Sequence, residues 1–323
     1  MNSPVTRRAL LGAGALLPLA APALAAFPEQ TIRIIVPWNA GGLADVVMRA
    51  LAPAMAGALG QSVVIENRPG ANGAVGTQAV ARAAPDGHTL ILANAETHAI
   101  NPLVYPRLPY DAVADFTPVT VFARGPFVLI TRPGLGVETL DAFLALARSR
   151  AGALTYASWG IGSTSHLAME RLIKATRIEM LHVPFTGAAP ASTAILGGQV
   201  DVMFLNAGPA EAVARDGRAK ILGVGATERI PLLPNLPTMA ELGTPVDAAN
   251  WFGLLGPARM PAEVAARIAQ VAAQGLSTPA VQQVFRVQAA VPVTSTPEEM
   301  RAFIASDRER WAVLVRELNI RLE

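Results

Sequence analysis

The sequence predicts an α/β protein with largely parallel sheets. Short β-branched runs alternate with segments of helical period along most of the chain. Several of the joining loops run from strand to helix and are rich in glycine. The 323 residues are 52% hydrophobic, enough to bury a sizeable core and to suggest two domains. That apolar fraction excludes a disordered chain. The absence of cysteine excludes a disulfide scaffold, thiolate metal sites and a cysteine nucleophile.

The elements follow in order. Thr31–Val36 reads as a strand stopped by Pro37, and Asp45–Leu59 as a helix with apolar residues at helical spacing and Gly60 as its C-terminal cap. Further strands are expected at Ser62–Glu66, Thr89–Ala93, Phe127–Thr131, Leu154–Ala157, Glu179–Val183, Val200–Phe204 and Lys220–Val224. Helical patterns lie between most of them, at Leu140–Arg148, Ser165–Lys174 and Ala188–Leu196. Two amphipathic helices close the chain, Ala262–Gln274 behind Pro261 and a second opened by Thr296-Pro297-Glu298-Glu299 that runs to about Leu318. No linker separates two contiguous halves, as expected of a chain that crosses between lobes and returns.

The first 26 residues read as an address. Arg7 and Arg8 precede an uncharged stretch from Ala9 to Leu24 that contains Gly12, Gly14, Pro18 and Pro22, and Ala23-Leu24-Ala25 offers a small-x-small cleavage site. This is the pattern of a secretory signal peptide cleaved near Ala25 or Ala26, and it falls short of a bilayer span. Thr6-Arg7-Arg8-Ala9-Leu10-Leu11 also resembles a twin-arginine export signal. The expected location is the periplasm. Removing Arg7 and Arg8 leaves 24 cationic against 24 acidic side chains, with the arginines scattered. Nucleic acid is therefore not an expected partner.

Two strand-to-helix loops carry the candidate chemistry: Pro37-Trp38-Asn39-Ala40-Gly41-Gly42-Leu43-Ala44-Asp45, and Ala157-Ser158-Trp159-Gly160-Ile161-Gly162-Ser163-Thr164-Ser165-His166. Each sets glycines and polar donors before a helix start, where unpaired N–H groups and the helix dipole favour an anion. Neither holds Lys or Arg, which suits a carboxylate better than a heavily charged phosphate. The candidate ligand-binding residues are Trp38, Asn39, Gly41, Gly42, Asp45, Ser158, Trp159, Gly160, Ser163, Thr164 and His166, with Glu96, His98 and Asn206 as further candidates. The plain alternative is that the loops are ordinary βα turns, with Asp45 capping its helix. Glu96 and His98 lie just past a strand and either face the cleft or stand as solvated loop residues. Arg68–Gly76 is another glycine-rich turn, read equally well as a structural connection. Catalysis finds little support: there is no G-x-S-x-G elbow, no P-loop and no dinucleotide fingerprint, and Ser163 and His166 lack an orienting third group. The four histidines show no metal-ligand spacing, so no metal and no cofactor is expected.

An ordered set of motifs resembles one family across nearly all of the chain after the signal. The set includes Ile34-Ile35-Val36-Pro37 with Gly41-Gly42 and Asp45, Glu66-Asn67-Arg68-Pro69-Gly70-Ala71, Pro85-Asp86-Gly87, Asn101-Pro102 and Leu108-Pro109-Tyr110-Asp111. It continues with Tyr156-Ala157-Ser158, His166-Leu167, His182-Val183-Pro184-Phe185, Gly197-Gly198-Gln199-Val200-Asp201, Leu236-Pro237-Thr238 and Trp251-Phe252-Gly253-Leu254. The chain thereby resembles the substrate-binding proteins of tripartite tricarboxylate transporters, the Bug family. The resemblance implies a type II periplasmic binding protein fold, with two α/β lobes around a ligand cleft. It also implies a non-enzymatic, monomeric receptor that delivers a small carboxylate to membrane subunits, with the two loops holding one carboxylate. Domain I is expected at 27–123 and 250–323, and domain II at 124–249. The alternatives are a ligand sensor for a signalling kinase and a secreted hydrolase. Trp38, Asn39, Ala40, Trp159 and Ile161 depart from the family's usual residues. If Glu96 faces the cleft, a second ligand carboxylate meets like charge, unless Arg124 pairs with it, so a compact monocarboxylate is expected over citrate.

Overall fold

The computed structural model describes residues 27–322. The expected signal peptide lies outside the described residues. No helix among them is long and apolar enough to cross a membrane.

Strand β1 (Ile32–Val36) is almost wholly buried, the pattern of a strand covered on both faces. It pairs in parallel with β2 (Val63–Asn67) and β3 (Thr89–Asn94). Helix α1 (Leu43–Leu59) lies between β1 and β2 and ends at Gly60, whose φ of 70° lets its N–H reach the Ala56 carbonyl. It starts two residues earlier than the periodicity predicts, because Gly42 rather than Asp45 is the N-cap. Helix α2 (Ala74–Ala81) and helix α3 (Asn101–Val104) flank β3, and a π-helical turn at Glu96–Ile100 joins β3 to α3.

The organising element is β4, a 16-residue strand from Phe116 to Thr131, of which the sequence reading caught only the last five. Its first part, Phe116–Pro126, pairs antiparallel with β9 (Ala249–Pro257). Its last part, Phe127–Thr131, pairs antiparallel with β7 (Val202–Asn206) and β8 (Lys220–Gly225). Beyond β7 the sheet continues in parallel through β5 (Thr155–Ser158) and β6 (Leu181–Pro184). The sheet order is β2-β1-β3-β9-β4-β7-β5-β6. The largely parallel sheet expected from βα alternation is thus corrected: the flanks are parallel and the middle is antiparallel, because β9 returns from the far section beside β4.

Helices cover both faces of each section. Alongside β5–β8 run α4 (Leu140–Ser149), α5 (Thr164–Thr176), α6 (Ala188–Leu196) and α7 (Ala207–Arg215). The returning chain adds α8 (Ala262–Leu276), α9 (Pro279–Val287), the two-residue strand β10 (Val291–Pro292) on β4, and α10 (Pro297–Glu317). Thr296 and Glu299 form a reciprocal capping box at the start of α10. Four apolar clusters result, two per section. Met48, Leu51 and Ile268 centre one, and Trp251, Trp311 and Met300 centre its opposite face. Phe143, Tyr156 and Phe204 centre the third, and Ile195, Met203 and Val128 the fourth.

Candidate functional site

Where the two sheet sections meet, loops from both border a cavity of about 770 Å³. Its wall takes Trp38 to Ala44 from the β1–α1 junction and Pro69 to Gly73 from the turn before α2. The far section gives Trp159–Ile161, Phe185–Ala189 and Ser192. Leu205, Asn206 and Asn250 come from strand ends and the crossing between sections. None of the described lining residues is Lys or Arg, and Glu96 is the one carboxylate among them. No group of three or more metal-ligating side chains occurs among the described residues.

What the wall offers instead is backbone N–H. The N-caps of α1, α6 and α7 are Gly42, Gly187 and Asn206, and none makes a side-chain capping bond. All three helix starts border the cavity, with Gly187 held at φ 145°, where a side chain would be strained. Uncapped first-turn N–H groups and aligned dipoles make each start attractive to negative charge. Two wall side chains also carry buried donors without a protein partner, Trp38 Nε1 and Asn206 Nδ2. Such donors leave a cost that an acceptor on a ligand would remove.

The sequence candidates divide into wall and support. Trp38, Asn39, Gly41, Gly42, Trp159, Gly160, Glu96 and Asn206 line the cavity. Asp45 lies behind it, 3% exposed, accepting from Gly41 N (3.0 Å), Arg49 Nε (2.9 Å) and Asn67 Nδ2 (2.9 Å). Burial raises its pKa, but these hydrogen bonds and the Arg49 charge outweigh burial and hold it below the usual carboxylate value. Its role is to pin the first loop from inside the helix rather than to cap α1. Ser163 is the N-cap of α5: its Oγ donates to Gly160 O (2.6 Å) and accepts from His166 N (3.3 Å).

His166 and Ser158 belong to a buried column under the second loop. The His166 ring accepts from Gly162 N at 3.2 Å and stacks on His182 at 4.1 Å, which in turn stacks on Tyr156 at 4.7 Å. Ser158 Oγ meets His182 Nε2 at 2.7 Å. Burial pushes the His166 imidazole down to about 3, with the His182 ring adding to it, and burial pushes His182 down to about 4. The Ser158–His182 pair lies off the cavity wall, with Ser158 fully buried, so it does not form a nucleophile–base unit facing the cleft. Thr164 also lies off the wall, bonded to Glu96. His98 is fully buried against the Phe116 ring at 4.8 Å, and its pKa is pushed down to about 3 by burial and by the charge of Arg308. Arg124 is not on the wall either; its guanidinium sits over the Phe303 ring at 5.6 Å.

Sequence reasoning left two parts of the wall out of its candidate residues. The Gly70–Gly73 turn stood open between ligand contact and structural connection, and its glycine pattern was the available signal. The Gly187–Ala189 start of α6 follows an unremarkable short strand, and only Gly187 before a helical run pointed to it.

The family model described as tripartite tricarboxylate transporter family receptor matches residues 47–320. The chain belongs to that family. Among curated relatives of this receptor, the protein BugT of Bordetella pertussis is 35% identical over 308 residues, covering 94% of each chain. A Rhodopseudomonas palustris protein, MatC, solved with bound malate, is 32% identical with a TM-score of 0.82, and covers 90% of this chain and 100% of its own. An R. palustris protein solved with adipate is 31% identical with a TM-score of 0.87, covering 91% of this chain and 99% of its own. The receptor shares their fold, two α/β lobes of the periplasmic binding protein type.

Proposed function

We propose that this receptor binds a small carboxylate in the cleft without chemical turnover and passes it to transporter subunits in the membrane. The observation that carries the reading is the wall itself: three uncapped helix starts and two orphan donors around a cavity that lacks Lys and Arg among its described residues. Donors of this kind hold a carboxylate while leaving it free to depart, because the charge is stabilised by dipoles rather than by an ion pair. The relatives solved with malate and adipate support the ligand class.

In this reading the first lobe is 27–123 with 250–323 and the second is 124–249, the two strands β4 and β9 forming the link. The loops bordering the cavity come from both, so a bound carboxylate joins the lobes and favours the closed state. Export to the periplasm as a monomer completes the proposal. A thermal-shift screen of the purified protein from residue 27 against a carboxylate panel, followed by calorimetric titration, tests it. One or more small carboxylates should raise the melting temperature and be recovered unchanged. A panel with no stabilising member, or one that is hydrolysed, overturns the proposal.

A further inference from the structure

Glu96 stands at the end of β3, on the π-helical turn, and is 1% exposed even though it borders the cavity. Its Oε1 accepts from Thr164 N (3.0 Å), Thr164 Oγ1 (2.5 Å) and Trp159 Nε1 (3.3 Å). Its Oε2 accepts from Asn250 Nδ2 at 2.9 Å. Thr164 is the first residue of α5. The carboxylate of Glu96 therefore sits where the free N–H and dipole of α5 would otherwise draw a ligand anion. The contrast with α1, α6 and α7 is sharp, since those starts have no side-chain cap.

We propose that Glu96 is a specificity-determining residue: it fills one of the cleft's anion positions with the protein's own carboxylate and restricts the ligand to a single carboxyl group. The inference rests on the receptor reading above and names the ligand class of that same cleft. A first ligand carboxylate has the starts of α1, α6 and α7 to choose from. A second one reaching toward α5 finds its position taken, meets like charge, and has no Lys or Arg on the described wall to offset it. A ligand whose far end is neutral or carries an N–H or O–H donor faces no such penalty, because Glu96 Oε2 accepts from Asn250 alone. The relatives solved with malate and adipate hold ligands with two carboxylates. This chain is expected to differ from them in that respect.

The test is calorimetric titration with matched pairs that differ by one carboxyl group: butyrate and succinate, pentanoate and glutarate, hexanoate and adipate. The wild-type protein should bind each monocarboxylate about tenfold or more tightly than its partner. Glu96→Ala vacates the start of α5 and should bring at least one dicarboxylate to parity with its partner or beyond. Glu96→Gln keeps the shape, removes the charge and should narrow every gap. A purely structural Glu96 would weaken both members of each pair together. Equal affinities in the wild-type protein, or ratios unchanged by both substitutions, overturn the inference and leave the receptor reading standing. Failure of all six to bind all three proteins overturns the inference, and the wider carboxylate panel then decides the receptor reading.

Discussion

His166, beneath the second loop, and His98, on the π-helical turn, are both buried off the cavity wall, where the sequence offered them as ligand contacts. His166 accepts a backbone N–H while neutral, and His98 is fully enclosed beside Phe116. Both have folded-state pKa values near 3 against 6.5 in a free chain. Between those values the unfolded chain binds protons that the folded one refuses. Stability is whole above pH 6.5 and is lost as the pH falls toward 3, by up to about 1.4 kcal/mol per pH unit for each histidine. Melting temperature should therefore fall steadily from pH 6.5 to pH 4, and His98→Phe should flatten that slope. The sequence could say that Ser158, Ser163, Thr164 and His166 sit in a loop before a helix. It could not say which of them face outward, because short polar side chains in a βα turn satisfy the turn's own backbone as readily as a ligand. Asp45 is the same lesson in a carboxylate: the sequence offered it as a cap or a ligand contact, and three donors hold it behind the wall.

Among the elements, strongly periodic ones were legible and the composite ones were not. Helix α6 was read to the residue, and α4 and α8 within two, because apolar spacing and helix-start residues agree there. Strand β4 was half missed because Thr117-Pro118 and Arg124-Gly125-Pro126 look like turns, and proline lacks the N–H a central strand needs. The register shifts between Pro118 and Thr120 and between Val121 and Ala123 show where the ladder absorbs the irregular stretch. Strand β9 was hidden because its partners lie more than a hundred residues away. Helix α7 has a tight constraint of its own. A Cβ on Gly208 would lie 2.6 Å from the Cα of Gln288, a backbone atom of the returning chain. Gly208→Ala should destabilise the protein by about 1–3 kcal/mol through overpacking, read as a lower melting temperature with unaltered helix content by circular dichroism.

At the scale of the molecule, contacts from both sheet sections converge on α5 and α10. Glu96 reaches Thr164, Arg310 pairs with Asp247 at 2.8 Å, and Lys174 pairs with Glu317. These bonds tie the two sheet sections to each other. The receptor reading expects an equilibrium between this arrangement and a more open one. Small-angle scattering should show the radius of gyration fall when a stabilising carboxylate is added. An unchanged profile at saturation would show that binding leaves the lobes where they are.

The position of β9 between β3 and β4 also dictates an order of assembly. Residues 127–225 contain every strand of the far section, so that section can pair its strands while the remainder of the chain is still being made. The near section cannot. Until residue 257 has emerged from the ribosome, β3 and the first part of β4 present open hydrogen-bonding edges, and Trp251 is missing from the core that α10 later seals. The near section thus stays half-built through most of the synthesis of the polypeptide.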